Sequence, residues 1–253
     1  MNTKIVRYIL CRMLGVEAAL LLVPVLVAVI YQEKCGIVFL IPIVILCLLF
    51  WVAGRKRPEH GQIYGKEGMV IVALAWILWS LFGAMPFTLS GYIPSYVDAF
   101  FETVSGFTTT GSSIIPDVEV LPHCLLFWRS FTHWIGGMGV LVFVLVVTSL
   151  DRKNSMHLMR AEVPGPEKDK LVPKAMSTAR ILYGMYLILT VIEMVFLVIG
   201  GMNLFDSMIF SFGSAGTGGF SNYADSVAHF NSAYIDGVIT VFCALFGVNF
   251  ALF

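Results

Sequence analysis

The chain has 253 residues, 58% of them hydrophobic and 13% charged, with zero formal net charge and a mean hydropathy of +0.86. A soluble domain carries about 25% charged residues, and a neutral chain lacks the basic footprint of a nucleic-acid binder. Several runs approach the roughly 20 apolar residues that a bilayer span needs, so the sequence reads as an all-α integral membrane protein.

The first hydrophobic segment covers about residues 9–30, with Pro24 as a predicted kink. Lys4, Arg7 and Arg12 precede it as in a signal peptide, but no small-residue cleavage site follows, so it reads as a retained helix. A short turn at 31–36 leads to a second span, about 37–53, and a basic connector at 54–61. The third span is about 68–89. After a turn at 90–95, Asp98 is expected to cap a short helix to about Ser105, followed by a polar loop at 106–113. The fourth span is about 125–150, the polar loop 151–174 follows, and the fifth span is about 178–199. Asp206 is expected to cap a second short helix, 214–221 is a second polar loop, and a sixth span starts near Ala233. By comparison with the fourth, this last span ends several residues short.

Of the 16 Lys and Arg, 14 fall in three segments: the N-terminus, the first connector (Arg55, Lys56, Arg57, Lys66) and the stretch from Arg152 to Arg180. Alternating spans put all three on one side, which the bias of basic loops makes cytoplasmic. The N-terminus is then cytoplasmic, and both polar loops enter from outside. The cysteines (Cys11, Cys35, Cys47, Cys124, Cys243) show no CxxC or metal-ligand spacing and read as reduced, mostly buried thiols. The five histidines share no metal spacing, and the tryptophans read as interface anchors or packing.

The two polar loops repeat one another. A shift of 108 positions places Asp98 on Asp206, Thr109 on Thr217, Gly111 on Gly219 and Ser113 on Ser221, with 69–89 falling on 177–197. A polar segment survives at membrane depth only where it lines water or is buried in protein. The chain therefore reads as two N-terminal helices (1–60), a first helix–re-entrant loop–helix unit (61–150), a cytoplasmic loop (151–175) and a second such unit (176–253). Rings of backbone carbonyls can replace the hydration shell of a cation, and glycine adopts the backbone angles this demands. Gly111, Gly216, Gly218, Gly219 and Phe220 would contribute backbone oxygens, and Thr108, Thr109, Thr110, Ser112 and Thr217 could add hydroxyls. Each short helix points its partly negative C-terminus at its loop. The plainer reading is two Ser/Thr/Gly turns, but the doubling with an Asp at the same offset favours a pore.

The residues Thr108-Thr-Thr-Gly-Ser112, then Phe127-Trp-Arg-Ser-Phe-Thr-His-Trp-Ile-Gly-Gly-Met-Gly139, resemble the Trk/Ktr/HKT superfamily of potassium transporters, and within it the TrkH-type membrane subunits. Arg160-Ala-Glu-Val-Pro-Gly-Pro166, Gly218-Gly-Phe-Ser221 and Gly247-Val-Asn-Phe-Ala251 extend the resemblance over nearly the whole chain. The resemblance implies potassium uptake, with the ion as substrate held at Thr109, Thr110, Gly111, Thr217, Gly218 and Gly219, and no bound cofactor. It implies four units around one pore, of which this chain matches the first two. It also implies a homodimer in the bacterial inner membrane and a peripheral nucleotide-binding gating subunit. Glycine at both filter positions, Gly111 and Gly219, goes with potassium in that family, where serine in the first unit of some plant members goes with sodium.

Arg129, near one end of the fourth span, reads as functional or as the partner of Glu102 or Asp117. Glu17 reads mainly as packing or lipid contact, whereas Glu193, inside the second unit, is equally a relay for cations or protons. Gly136, Gly137 and Gly139 permit close helix approach. The competing reading is a membrane-embedded enzyme or assembly factor using Arg129, His133 and the acids. No HExxH, Gly-x-Ser-x-Gly or carboxylate pair supports it.

Overall fold

The structure is a computed structural model that describes residues 3–55, 65–139 and 175–248. Helices α1 (Thr3–Leu20) and α2 (Leu22–Ile30) form one bent span. The break falls where Pro24 withdraws the N–H that would have reached Leu20. A 3-10 turn, Lys34–Phe39, leads into α3 (Leu40–Leu49), which ends in a π turn, Phe50–Gly54. Next come α4 (Gly65–Leu89), α5 (Tyr96–Phe107), α6 (His123–Gly137), α7 (Ala175–Ile199), α8 (Leu204–Ala215) and α9 (Ala233–Gly247). No strand occurs among the described residues. Among the described residues, four segments are long and apolar enough to cross a membrane: Thr3–Ile30, Lys34–Gly54, Lys66–Leu89 and Ile181–Ile199.

Helices α5 and α8 have 12 residues each. At 1.5 Å per residue that is about 18 Å, too short for a hydrocarbon core of about 30 Å. They are offset by 108 positions at both ends, as the sequence indicates. Their neighbours are not. Helix α4 maps onto α7, and α6 onto α9, with an offset of 110. The expected pairing of 69–89 with 177–197 is therefore corrected by two positions. The cause is the preceding turn, six residues long before α5 and four before α8. Each turn holds a left-handed glycine, Gly91 (φ 81°) or Gly201 (φ 97°).

A second correction concerns the expected continuous span at 125–150. Helix α6 stops at Gly137, and Gly139 (φ 76°) donates its N–H back to the Gly136 carbonyl at 2.8 Å. Three glycines in four residues remove the side chains that favour helix and supply the left-handed position that ends it. The remainder of that span lies outside the described residues, as do the connector 56–64, the loop 151–174 and residues 249–253.

Aromatic rings join the elements. Trp128 on α6 donates to the Gly83 carbonyl of α4 at 2.9 Å and meets Phe107 of α5 and Phe39 edge-on. Trp134, two turns on, donates to Thr190 of α7 at 3.2 Å and accepts from Tyr186 through its carbonyl at 2.9 Å. Thus α6 is the wall shared by the two repeats. Its first turn is fixed from the N-terminal pair of helices. Glu33, in the turn after α2, receives the N–H groups of His123 and Cys124 at 2.7 and 3.0 Å. Pro122, at the cap position, has no side-chain donor or acceptor of its own to offer.

Candidate functional site

Both short helices end in the same way. After the last helical residue comes a cap residue, Thr108 or Gly216, then a left-handed threonine, Thr109 (φ 54°) or Thr217 (φ 56°). The N–H of Thr109 bonds to Gly106 O at 3.0 Å and that of Thr110 to Ser105 O at 2.9 Å. Thr217 bonds to Ser214 O at 2.8 Å and Gly218 to Gly213 O at 3.2 Å. These are Schellman motifs, but the residue that usually supplies the left-handed turn is glycine. A β-branched residue there is a steric outlier, costing about 1–3 kcal/mol. The strain occurs twice, at matching positions. Two residues further on, Gly111 (φ 77°) and Gly219 (φ 78°) are again left-handed.

The loops touch. A Cβ on Gly111 would run into the Gly218 carbonyl, and one on Gly218 would meet the His133 ring and the Thr109 carbonyl. Gly219 has open space around its Cα. Thr110, Ser112, Thr217 and Gly219 lie at or near the surface, whereas Gly216 and Phe220 are buried. The Thr108 hydroxyl donates to Val104 O at 2.7 Å and pairs with that of Thr110 at 2.8 Å, so these two hydroxyls are engaged by the protein itself.

A buried ion pair links the loops from behind. Arg129 Nε lies 2.6 Å from Glu102 Oε1, both side chains being almost inaccessible to water. Glu102 also receives the Ser113 hydroxyl at 3.0 Å and the Ile114 N–H at 2.8 Å, tying down the end of the first loop. Arg129 Nη1 donates to Ser221 O at 2.9 Å, and its guanidinium stands 3.6 Å from the centre of the Phe220 ring. One arginine thus fixes the end of the second loop while its acid partner fixes the first. Of the two partners that the sequence offers, Glu102 is the one used, and Asp117 instead caps a short 3-10 turn.

The helix starts require a correction. The capping residues are Ser95 and Asn203, which accept the N–H groups of Asp98 at 3.4 Å and Asp206 at 2.8 Å. Asp98 and Asp206 are the third helical residues, still within the positive end of the helix dipole. Ser95 and Asn203 take the extended backbone that a cap requires. Asp206 also anchors the chain beyond the second loop, accepting from Asn203 at 2.7 Å, Asn222 at 2.6 Å and Tyr223 at 2.9 Å. Burial, with the hydrogen bond to Asp206 and nearby acids, pushes the Tyr223 hydroxyl up to about 12.

Glu193 on α7 is fully buried, and neither carboxylate oxygen has a partner within hydrogen-bond distance among the described residues. Ser214, in the last turn of α8, stands beside it. From the sequence, Glu33 is not singled out and His133 enters only the competing enzyme reading. His133 is packed against Phe220 with 4.0 Å between ring centres, and its ring nitrogens have no hydrogen-bond partner among the described residues. Its place one turn after Arg129 was the available signal. Glu33 had none, because its contacts lie about 90 positions away.

A family model described as "TrkH: Cation transport protein" matches residues 36–253. The chain belongs to that family. It is 37% identical over 238 residues to the Trk system potassium uptake protein TrkH of Escherichia coli K12, covering 92% of this chain and 49% of the relative. It is 35% identical to the E. coli K12 Trk system potassium uptake protein TrkG, covering 100% and 53%. The crystal structure of the potassium transporter TrkH from Vibrio parahaemolyticus superposes with a TM-score of 0.83 at 31% identity, covering 100% of this chain and 51% of that one. The chain spans about half the length of the curated relatives it matches.

Proposed function

We propose that the protein carrying this chain takes up potassium across the bacterial inner membrane, and that the loops 106–113 and 214–221 are two of its filter segments. The observation that carries this reading is the left-handed backbone at Thr109, Gly111, Thr217 and Gly219. In an extended strand successive residues alternate in direction. A left-handed residue at every second position breaks that alternation, so neighbouring carbonyls can gather on one side. Carbonyls of Thr109, Thr110, Gly111, Thr217, Gly218 and Gly219 then stand in for the water around a dehydrated ion. Ser112, Gly216 and Phe220 support this set, and Thr108 braces Thr110 rather than binding the ion. Helices α5 and α8 end at the loops with their partly negative termini. They enter the membrane and turn back at the loops.

In this reading Arg129 positions both filter ends and does not touch the ion. Glu193, buried behind the second loop beside Ser214, is the candidate for a cation or proton contact. The N-terminus faces the cytoplasm, and the protein works as a dimer with a peripheral nucleotide-binding subunit, as the family resemblance implies. The experiment is rubidium and sodium flux into proteoliposomes holding the protein. Uptake with rubidium favoured over sodium supports the proposal. Tight vesicles containing folded protein that admit neither ion refute it. An enzyme or assembly role is the alternative, and no further observation favours it.

A further inference from the structure

We propose that the groove between α1 and the α3 segment binds one anionic phospholipid, with its phosphate on Arg12 and one acyl chain lying along Gly15, Ala19, Leu22 and Ile43. The groove is a cavity of about 490 Å³, within the range of about 300–1,000 Å³ typical of ligand sites. Among the described residues of its wall, Arg12 is the charged one and the rest are apolar.

The depth suits a headgroup. Residues 13–30 form an apolar run of 18 residues broken by Glu17, which does not line the groove. That run is about 27 Å long, close to the hydrocarbon thickness of about 30 Å, so Arg12 sits where acyl chains meet headgroups. Its guanidinium is half-buried, with Nη1 donating to the Tyr8 hydroxyl at 3.0 Å, and a phosphate accepts N–H groups from arginine.

Two further features point the same way. Gly54 lies against the Cys11 backbone and the Phe50 ring, which brings Arg55 to the level of Arg12. The π turn at Phe50–Gly54 sits there, a distortion often found at functional sites. Arg55 lies over Trp51, with 5.8 Å to the ring centre, and Trp is an interface residue. Arg7 is exposed on the same end of α1. Arg7, Arg12 and Arg55 together favour a net negative headgroup over a zwitterionic one. Above them, the Phe50 ring packs against Gly15, and the short side chain of Ala19 leaves room beside Leu22 and Ile43.

Native mass spectrometry of the detergent-solubilised protein, mixed with phosphatidylglycerol or phosphatidylcholine, tests this. One phosphatidylglycerol should be retained about tenfold better than phosphatidylcholine. Arg12→Gln should remove that preference. Ala19→Phe, which fills the groove and keeps the charge, should lower retention of both lipids. Equal retention of the two lipids by the unaltered protein overturns the proposal, and so does an unchanged preference in folded Arg12→Gln. If Arg12→Gln does not fold, Ala19→Phe decides, and unchanged retention in it counts against the site.

Discussion

Replacing Arg129 by methionine keeps much of the side-chain volume and strands Glu102 as an uncompensated charge. The pair is buried on both sides, with Nε–Oε1 at 2.6 Å. Removing one member of such a pair costs about 3–5 kcal/mol, and the lost bond to Ser221 O falls within that range. Glu102→Gln alone leaves the guanidinium facing an amide and should cost about 1.5–3 kcal/mol, the worth of a hydrogen bond to a charged group. The double variant has no orphaned charge, and the amide oxygen introduced by Glu102→Gln could still accept from the Ser113 hydroxyl or the Ile114 N–H. It should be more stable than the sum of the single losses predicts, by about 2 kcal/mol or more. Equilibrium unfolding in mixed micelles of the wild type, both single variants and the double variant measures this coupling. Because Arg129 also fixes the second loop, rubidium-over-sodium preference should fall in the single variants. Additivity within about 0.5 kcal/mol, with ion preference intact, would refute the idea that this pair braces both loops.

Other outcomes follow from single positions. Gly111→Ser should weaken preference for potassium over sodium, since a side chain there meets the Gly218 carbonyl and φ is 77°; the permeability ratio in proteoliposomes checks it. Gly136→Ala should destabilise the protein by about 1–3 kcal/mol, because the added methyl would meet the Phe107 carbonyl, which belongs to the backbone and cannot swing aside; a fall in thermal midpoint reports it. Burial raises the Glu33 pKa, but the N–H groups of Cys124 and His123 outweigh it and hold the carboxyl below its usual value. Its stabilisation is therefore complete above the unfolded value of about 4.3 and fades as pH falls through the lower folded value. Glu33→Gln should lose stability at neutral pH and show a weaker acid dependence in that window, read by thermal midpoint against pH. For orientation, Arg57→Cys in intact cells should resist impermeant thiol reagents added outside, and strong labelling would reverse the assignment.

The sequence carried those features that repeat or recur at short range. Two hydrophobic N-terminal helices, two short helices and two Thr/Gly loops are all written as local patterns, and the 108-residue repeat of α5 and α8 holds in the structure. The two-residue change in offset was hidden because it lies in turns whose residues do not match one another. The caps were misplaced from Ser95 and Asn203 onto Asp98 and Asp206, since an acid in the first turn and a true cap both suit the same helix end. Left-handed threonine at 109 and 217 runs against propensity, so no local rule predicts it; packing between the loops and α6 imposes it. The contact of Arg129 with Glu102 was one of two options in the sequence, and only the fold decides between them. Glu33 at the start of α6 and His133 against Phe220 depend on long-range packing that local patterns do not record.

The central claim is that carbonyls at 109–111 and 217–219 hold a dehydrated potassium ion. Crystals of the protein grown in rubidium, with diffraction recorded at the rubidium absorption edge, test it most directly. An anomalous peak bounded by carbonyl oxygens of both loops is expected, lost or displaced in Gly111→Ser. A peak that lies away from both loops, with none between them, would contradict it.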